Sequence, residues 1–186
     1  GMACGNGPWK EGRSGAASLC YVGIPTEALD QVAGHHARVG IRATVVARGD
    51  EPVLPTLAGR NWDLALGSDR AAAAPLAAID RRSERGVVLA PPIQPAPYLV
   101  TARPGSIAQP LHGAAGDLPS LALPTGWEAA QAAIEAVAAV GGWAVWRIDG
   151  NALAGLGTDG HSRLLGWLGS QHARIWCAPV RDIAAW

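Results

Sequence analysis

The chain has no phenylalanine, a single lysine and only three cysteines, and these shortages exclude several classes of protein. Without a basic stripe interleaved with aromatic side chains, nucleic acid is not expected to be the main partner. The odd cysteine count, with no Cys-x-x-Cys pair, argues against a disulfide framework and against a zinc site. Glycine, proline or charged residues interrupt every apolar run before it reaches the length of a membrane span. Because the N-terminus also lacks a charged and then apolar signal region, we expect a cytoplasmic protein.

What is present suits one globular domain. A length of 186 residues is enough to bury a substantial core, and the formal net charge is zero. Eight tryptophans must supply most of the aromatic packing. Residues 1–14 are rich in glycine and polar side chains, so they are predicted to be a poorly ordered lead-in to a single domain over 15–186.

The stretch 15–49 predicts a strand, a helix and a second strand. An apolar run over 16–22 ends at a Gly-Ile-Pro break, and Thr26 is a candidate N-cap for a helical pattern that ends at a glycine. A β-branched run over 40–47 follows at once. Because parallel crossover units place ligand sites at the carboxyl ends of their strands, any chemistry is expected to begin near Tyr21.

The rest of the chain continues this alternation, which predicts an α/β fold with a mainly parallel sheet, either doubly wound or forming an irregular, partly closed barrel. Thr125 and Glu128 match a capping box at the start of one helix. The proline-rich region 91–124 is not resolved by periodicity. Strands are predicted over 62–68, 87–90, 98–101, 121–123, 143–148 and 174–180, and helices over 51–58, 69–85, 125–140, 159–170 and 181–186.

Five segments follow one another in an order typical of a known family. Residues 17–23 look like a strand ending in Thr-Phe-Asp-Asp-Gly, and 40–44 look like a Gly-hydrophobic-x-Ala-Thr strand. Residues 57–68 look like the segment with Gly-His-Glu-Ile-Gly-Asn-His. Residues 143–150 are similar to a strand that delivers a late histidine, and 161–186 to a closing helix, strand and tail. Together they resemble the polysaccharide deacetylases, the NodB-homology carbohydrate esterases, which implies a partly closed parallel (β/α) barrel of about seven strands.

The resemblance implies metal-assisted hydrolysis of N-acetyl or O-acetyl groups on carbohydrates, with a carboxylate and two histidines on the ion and a second carboxylate as base. In this chain the two Asp positions fall on Val22 and Gly23, and the metal histidines fall near Trp62 and Gly67. The late histidine falls on Asp149. The resemblance therefore implies a metal-free member without a cofactor, which acts as a binding or regulatory module for a carbohydrate or acetylated small molecule.

A site rebuilt from other residues is the alternative. Asp63, Asp149 and His161 each lie near the end of a predicted strand or on the helix that follows, as does Tyr21. If they converge at one edge of the sheet, their carboxylates and imidazole would permit an altered, metal-free hydrolysis. The competing interpretation is structural: Asp63 caps a turn, Tyr21 packs under a loop and His161 starts a helix.

Aromatic side chains suggest where a sugar would bind, because aromatic faces suit carbohydrate rings. Trp143 and Trp146 are predicted to lie on opposite sides of their strand. The predicted ligand-binding cleft is lined by Tyr21, Val22, Trp62 and Trp146.

Two further patterns are weaker. Residues 155–160 match Gly-x-Gly-x-x-Gly and would suit a small-molecule or nucleotide-binding α/β domain. Asp159 would place a negative charge where a pyrophosphate should lie, so a flexible connecting loop is the default interpretation. His35 and His36 are neighbours in a predicted helix and point apart, which predicts one solvated ring and one at the edge of the core.

Overall fold

The computed structural model describes residues 7–65, 70–81, 88–89, 117–118 and 120–186, and strands alternate with helices over 15–65 and 127–186. The strands are β1 (Gly15–Val22), β2 (Thr44–Val46), β3 (Asp63–Ala65), β4 (Val88–Leu89), β5 (Asp117–Leu118), β6 (Leu121–Ala122), β7 (Trp143–Ile148) and β8 (Ile175–Cys177). The α-helices are α1 (Thr26–Val39), α2 (Leu54–Gly59), α3 (Ala73–Ile79), α4 (Trp127–Ala139), α5 (Gly150–Ser170) and α6 (Val180–Ala184).

Strand β1 is the centre of the main sheet. It pairs with β7 along Ala16–Tyr21, and on its other side with β8 along Gly15–Ala17 and with β2 along Cys20–Val22. The main path runs β3-β2-β1-β7-β6, and β4 pairs with β5 separately. All these pairings are parallel, and the main sheet stays open among the described strands. The predicted α/β fold with a mainly parallel sheet is therefore confirmed.

The side chains of β1 alternate between two covered faces, which explains why the whole strand is apolar or small. Leu19 and Tyr21 face the side covered by α1, α4 and α5, called the helix face below. Ala16 and Cys20 face the side covered by Trp9 and α6, called the second face. The register puts Trp146 on the helix face and Trp143 on the second face, which confirms that these two rings point in opposite directions.

Two helices begin differently from the prediction. Thr26 is already helical, and the N-cap of α1 is Pro25, which provides no capping side chain. Helix α4 begins after Gly126, whose φ of 90° and ψ of 145° suit a glycine. No side-chain capping bond is formed there, so the Thr125–Glu128 capping box is wrong.

Helix α5 is longer than predicted because it starts directly after β7. The predicted flexible loop over 155–160 lies inside this helix, which breaks at Gly157 with a φ of 69° and a ψ of 170°. Glycine lowers helix propensity by about 1 kcal/mol, so four glycines within eleven residues concealed the helix from sequence analysis. Tertiary packing overrides that preference, since Leu156 is buried and Gly160 packs on the side chain of Trp127. The glycine motif therefore lacks the strand–loop–helix context that nucleotide binding requires.

Part of the predicted lead-in is folded. Trp9 is buried on the second face, where its ring meets Trp143 edge-on with centroids 6.3 Å apart. Its Nε1–H donates a hydrogen bond to the carbonyl of Gly141 at 3.0 Å. An aromatic anchor of this size fixes residues 7–14 on the domain, whereas residues 1–6 lie outside the described part of the chain.

Several sequence predictions fall outside the described residues, namely the strand over 98–101, most of the proline-rich region 91–124 and the ends of two elements near Gly67 and Arg85. None of the described helices has both the length and the apolar character needed to cross a membrane.

Candidate functional site

The carboxyl edge of the sheet brings together two of the predicted positions. Tyr21 pairs with Ile148 in the register of β1 and β7, so the next residues, Val22 and Asp149, stand side by side at that edge. Gly23 follows Val22 in a turn with a φ of 66°. Asp149 is exposed, and its Oδ1 accepts a hydrogen bond from the backbone N–H of Ala152 at 2.8 Å. Asp149 therefore caps the start of α5, where a carboxylate also suits the helix dipole.

We expect Asp149→Ala to lower the free energy of unfolding by about 1 kcal/mol, because the first turn of α5 loses its cap. Asp149→Asn should retain nearly all of the stability, since an asparagine oxygen caps a helix as well as a carboxylate. Urea denaturation of the two variants measures the difference. Equal losses in both would contradict the capping role and point to a requirement for the negative charge.

Asp63 lies on the second face, away from the other predicted site residues. It shares a register row with Thr44 and Cys20, and it is fully buried. Its Oδ2 accepts hydrogen bonds from the Thr44 hydroxyl at 3.2 Å and from the backbone N–H of Arg181 at 3.1 Å. Burial raises the pKa of the Asp63 carboxyl, against the nearby positive charge of Arg181. These contacts hold α6 on the sheet, and the sheet separates Asp63 from His161.

A row of hydrogen-bonded side chains on the helix face joins Tyr21 and His161, two of the four residues named for a rebuilt site, to His35 and His36, which were not placed with them. The Tyr21 hydroxyl oxygen lies 2.6 Å from Nε2 of His36 and 2.7 Å from Nε2 of His161. Nδ1 of His161 lies 2.8 Å from Nδ1 of His35. At the other end, Nδ1 of His36 lies 3.0 Å from the carbonyl oxygen of Ile41. We call Tyr21, His35, His36 and His161 the Tyr–His chain.

Three elements bring this chain together. Tyr21 stands near the end of β1 on the helix face, and His161 lies in the part of α5 that follows the break at Gly157. His35 and His36 occupy the third turn of α1 and are both buried, at 7% and 1% exposure. The prediction of one solvated ring is wrong because α5 extends alongside α1 and covers His35, while His36 faces Tyr21.

The Tyr–His chain is uncharged at neutral pH. Burial lowers the pKa of His36 to about 3, with the neighbouring His161 acting in the same direction. Burial lowers the pKa of His161 to about 4 and also lowers the pKa of His35, which lies near the positive charge of Arg38. The pKa of Tyr21 is raised well above its usual range, again by burial. Each neutral imidazole therefore has one N–H donor and one accepting nitrogen.

A cavity of about 300 Å³ lies between α1 and α5, next to this chain. Its wall is mostly apolar, with side chains such as Ala28, Val32 and Leu153. Gln31 and Thr158 contribute polar groups, and the two histidines His35 and His161 reach it from the core. The cavity thus combines an apolar body with a few polar atoms, which is the usual make-up of a small-molecule site.

The cleft predicted from aromatic residues is mostly closed. Tyr21 and Trp62 are buried at 0% and 2% exposure, with their rings stacked and centroids 6.2 Å apart. Trp146 is buried at 3% in the core of the helix face. These rings build the core, and only Val22 is partly exposed at the edge.

The metal that the family resemblance implies does not fit this edge. Val22 and Gly23 have no ligating side-chain atom, and the indole of Trp62 is only a donor. The buried histidines on the helix face direct their nitrogens at one another and at Tyr21. Across the described ranges no group of three His, Cys, Asp or Glu side chains is placed to hold an ion.

Comparison with solved structures shows that this fold is similar to that of several deacetylases. A peptidoglycan deacetylase, PdaC of Bacillus subtilis, matches with a TM-score of 0.58 and 10% identity, over 91% of this chain and 89% of that one. The Xyl-CE4 domain of a multidomain xylanase from the hindgut metagenome of Trinervitermes trinervoides gives a TM-score of 0.56 and 12% identity, over 91% and 89%. A peptidoglycan N-acetylglucosamine deacetylase from Eubacterium rectale matches with a TM-score of 0.54 and 13% identity, over 89% of this chain and 88% of that one.

This likeness confirms the deacetylase-like fold that the sequence resemblance implied. No protein-family model and no curated protein matches the sequence. At such low identity the shared feature is the fold, and functional residues must be judged from this chain's own geometry.

Proposed function

We propose that this chain is a non-hydrolytic binding domain built on a deacetylase-like fold, and that it takes an acetylated carbohydrate or another acetylated small molecule. One observation carries the proposal. The carboxyl edge offers Val22 and Gly23 where hydrolysis needs metal and base ligands, whereas buried polar side chains adjoin a cavity between α1 and α5. The binding site is that cavity, which extends from Pro25 and Gly150 near the edge to His35 and is called the α1–α5 pocket below.

The proposed ligand class rests on the proteins with similar folds. Their names include a peptidoglycan deacetylase and a peptidoglycan N-acetylglucosamine deacetylase. An acetyl group combines a methyl with a carbonyl, and an N-acetyl group adds an N–H. A mostly apolar pocket with a few polar atoms suits such a group. The cytoplasmic location expected from the sequence stays a prediction.

A metal-free hydrolase is the second candidate, and His161 favours it because this residue borders the pocket. Asp149 caps α5 and Asp63 lies behind the sheet, so neither supports His161 there. Turnover of an acetyl ester or amide by this route would be abolished by His161→Phe and retained in Asp63→Asn.

The proposal is tested with N-acetylglucosamine oligomers and with peptidoglycan, incubated in excess zinc, cobalt or nickel or in a chelator. We expect no release of acetate in any condition, and no change in melting temperature with metal or chelator, because no three ligating side chains come together among the described residues. The matched control is the Bacillus subtilis deacetylase in parallel reactions. Metal-dependent release of acetate by this chain would overturn the proposal.

Binding is tested separately from hydrolysis. Titration calorimetry compares N-acetylglucosamine oligomers with glucosamine oligomers of the same length. Heat from the acetylated series alone would support the proposed ligand class, and equal binding of both series or of neither would contradict it.

A further inference from the structure

The hydrogen bonds of the Tyr–His chain have only one possible direction. The carbonyl oxygen of Ile41 can only accept, so Nδ1 of His36 must donate its N–H to it. Because the His36 ring is neutral, its Nε2 is an accepting nitrogen. The Tyr21 hydroxyl, 2.6 Å away, must therefore donate its hydrogen to His36.

The same reasoning continues along the chain. The Tyr21 hydroxyl has a single hydrogen, and His36 takes it. The contact at 2.7 Å between Tyr21 and His161 then requires Nε2–H of His161 to donate to the hydroxyl oxygen. A neutral His161 is left with an accepting Nδ1, and His35 must donate its Nδ1–H across the 2.8 Å contact.

The series of hydrogen bonds ends at His35. With its hydrogen on Nδ1, the neutral ring has a lone pair on Nε2. Nδ1 is turned to His161, and His35 lines the α1–α5 pocket. No hydrogen bond to Nε2 is found in the described part of the chain. Every other nitrogen of the three histidines has a partner, so Nε2 of His35 is the one acceptor among them without a partner in the described residues.

We propose that the α1–α5 pocket binds a small, uncharged ligand with an apolar body and one hydroxyl or N–H group, which donates a hydrogen bond to Nε2 of His35. This inference rests on the proposed function and narrows its ligand. A cationic ligand is disfavoured, because the pocket has no acidic side chain among its lining residues. An N-acetyl group meets the requirement through its N–H, whereas an O-acetyl ester does not.

Phenol and toluene are suitable probes, since they have nearly the same shape and differ only in that phenol has a hydroxyl where toluene has a methyl group. Titration calorimetry or ligand-observed NMR measures both. We expect wild-type protein to bind phenol. His35→Leu should lower the affinity for phenol at least about tenfold and change the affinity for toluene by less than about threefold, because a buried hydroxyl without an acceptor is costly. The matched control is His172→Leu, the same change at an exposed histidine outside the pocket, which should alter neither affinity.

A second readout needs no variant. In nitrogen-15 spectra of wild-type protein, the Nε2 resonance of His35 should lie in the range of an unprotonated imidazole nitrogen and should move with phenol but not with toluene. The proposal is overturned by a protonated Nε2, by equal weakening of the two probes in His35→Leu, or by a wild-type protein that binds no phenol. Metal-dependent release of acetate would instead overturn the proposed function, so the two failures are distinguishable.

Discussion

Replacing Tyr21 with phenylalanine should lower the free energy of unfolding by about 3 kcal/mol, although it removes a single oxygen atom. The hydroxyl donates to His36 and accepts from His161, and both rings are 1% exposed. Without it, one buried acceptor and one buried donor are left without partners. Urea denaturation monitored by tryptophan fluorescence measures the loss.

The matched control is Ser18→Ala, on the second face of the same strand. The Ser18 hydroxyl accepts one hydrogen bond, from Nε1–H of Trp143 at 3.1 Å. Its removal leaves one donor unpaired, so the expected loss is about 1 kcal/mol. Equal losses for Tyr21→Phe and Ser18→Ala would show that Tyr21 is not the centre of a two-sided hydrogen-bond chain.

The protein is expected to lose stability steeply as the pH falls from 6.5 to about 4. The pKa values of His36 and His161 are lowered to about 3 and about 4 in the folded state, whereas an unfolded histidine titrates at 6.5. Below pH 6.5 the unfolded chain therefore binds more protons than the folded chain, and stability declines with falling pH. Two rings correspond to a slope on the order of 3 kcal/mol per pH unit near pH 5, and His35 adds in the same direction.

Asp63 acts in the opposite direction as the pH falls from its raised folded pKa to the unfolded value of 3.8. Its pKa is raised, so the folded state holds its proton more tightly and gains stability as that carboxyl is protonated. The histidine effect is therefore measured as the difference between wild type and His36→Phe, in which Asp63 is common to both, from unfolding free energies at half-unit steps from pH 6.5 to 4.5. In His36→Phe the dependence of the unfolding free energy on pH should fall by the amount that corresponds to about one proton. A wild-type unfolding free energy that is constant from pH 6.5 to 4.5 would contradict the account.

The sequence was sufficient for the central part of the fold. Apolar runs bounded by Gly and Pro predicted β1 and β7, and helical spacing predicted α1 with its end before Gly40 and its start one residue late. Because β1 and β7 are parallel neighbours, the position of Asp149 beside Val22 also followed. These predictions succeed because local pattern and tertiary environment agree for buried strands.

The site itself was harder to predict, since it depends on faces and contacts between distant elements. Asp63 starts its strand with its side chain on the second face, and a shift of one residue would have placed it on the helix face, in the same row as Val45 and Tyr21. His35 and His36 gave a visible signal, two adjacent imidazoles in an amphipathic helix. Their burial depends on α5, whose first half was hidden by its glycines.

Nitrogen-15 NMR of the histidine side chains at pH 7, with and without zinc, tests the central claim most directly. The claim is that the buried polar residues form a neutral, one-directional chain that ends at the α1–α5 pocket. The predicted result is hydrogen on Nδ1 of His36, on Nε2 of His161 and on Nδ1 of His35, with no change when zinc is added. A doubly protonated ring among these three, the opposite tautomer at His35, or a zinc-dependent shift would contradict it.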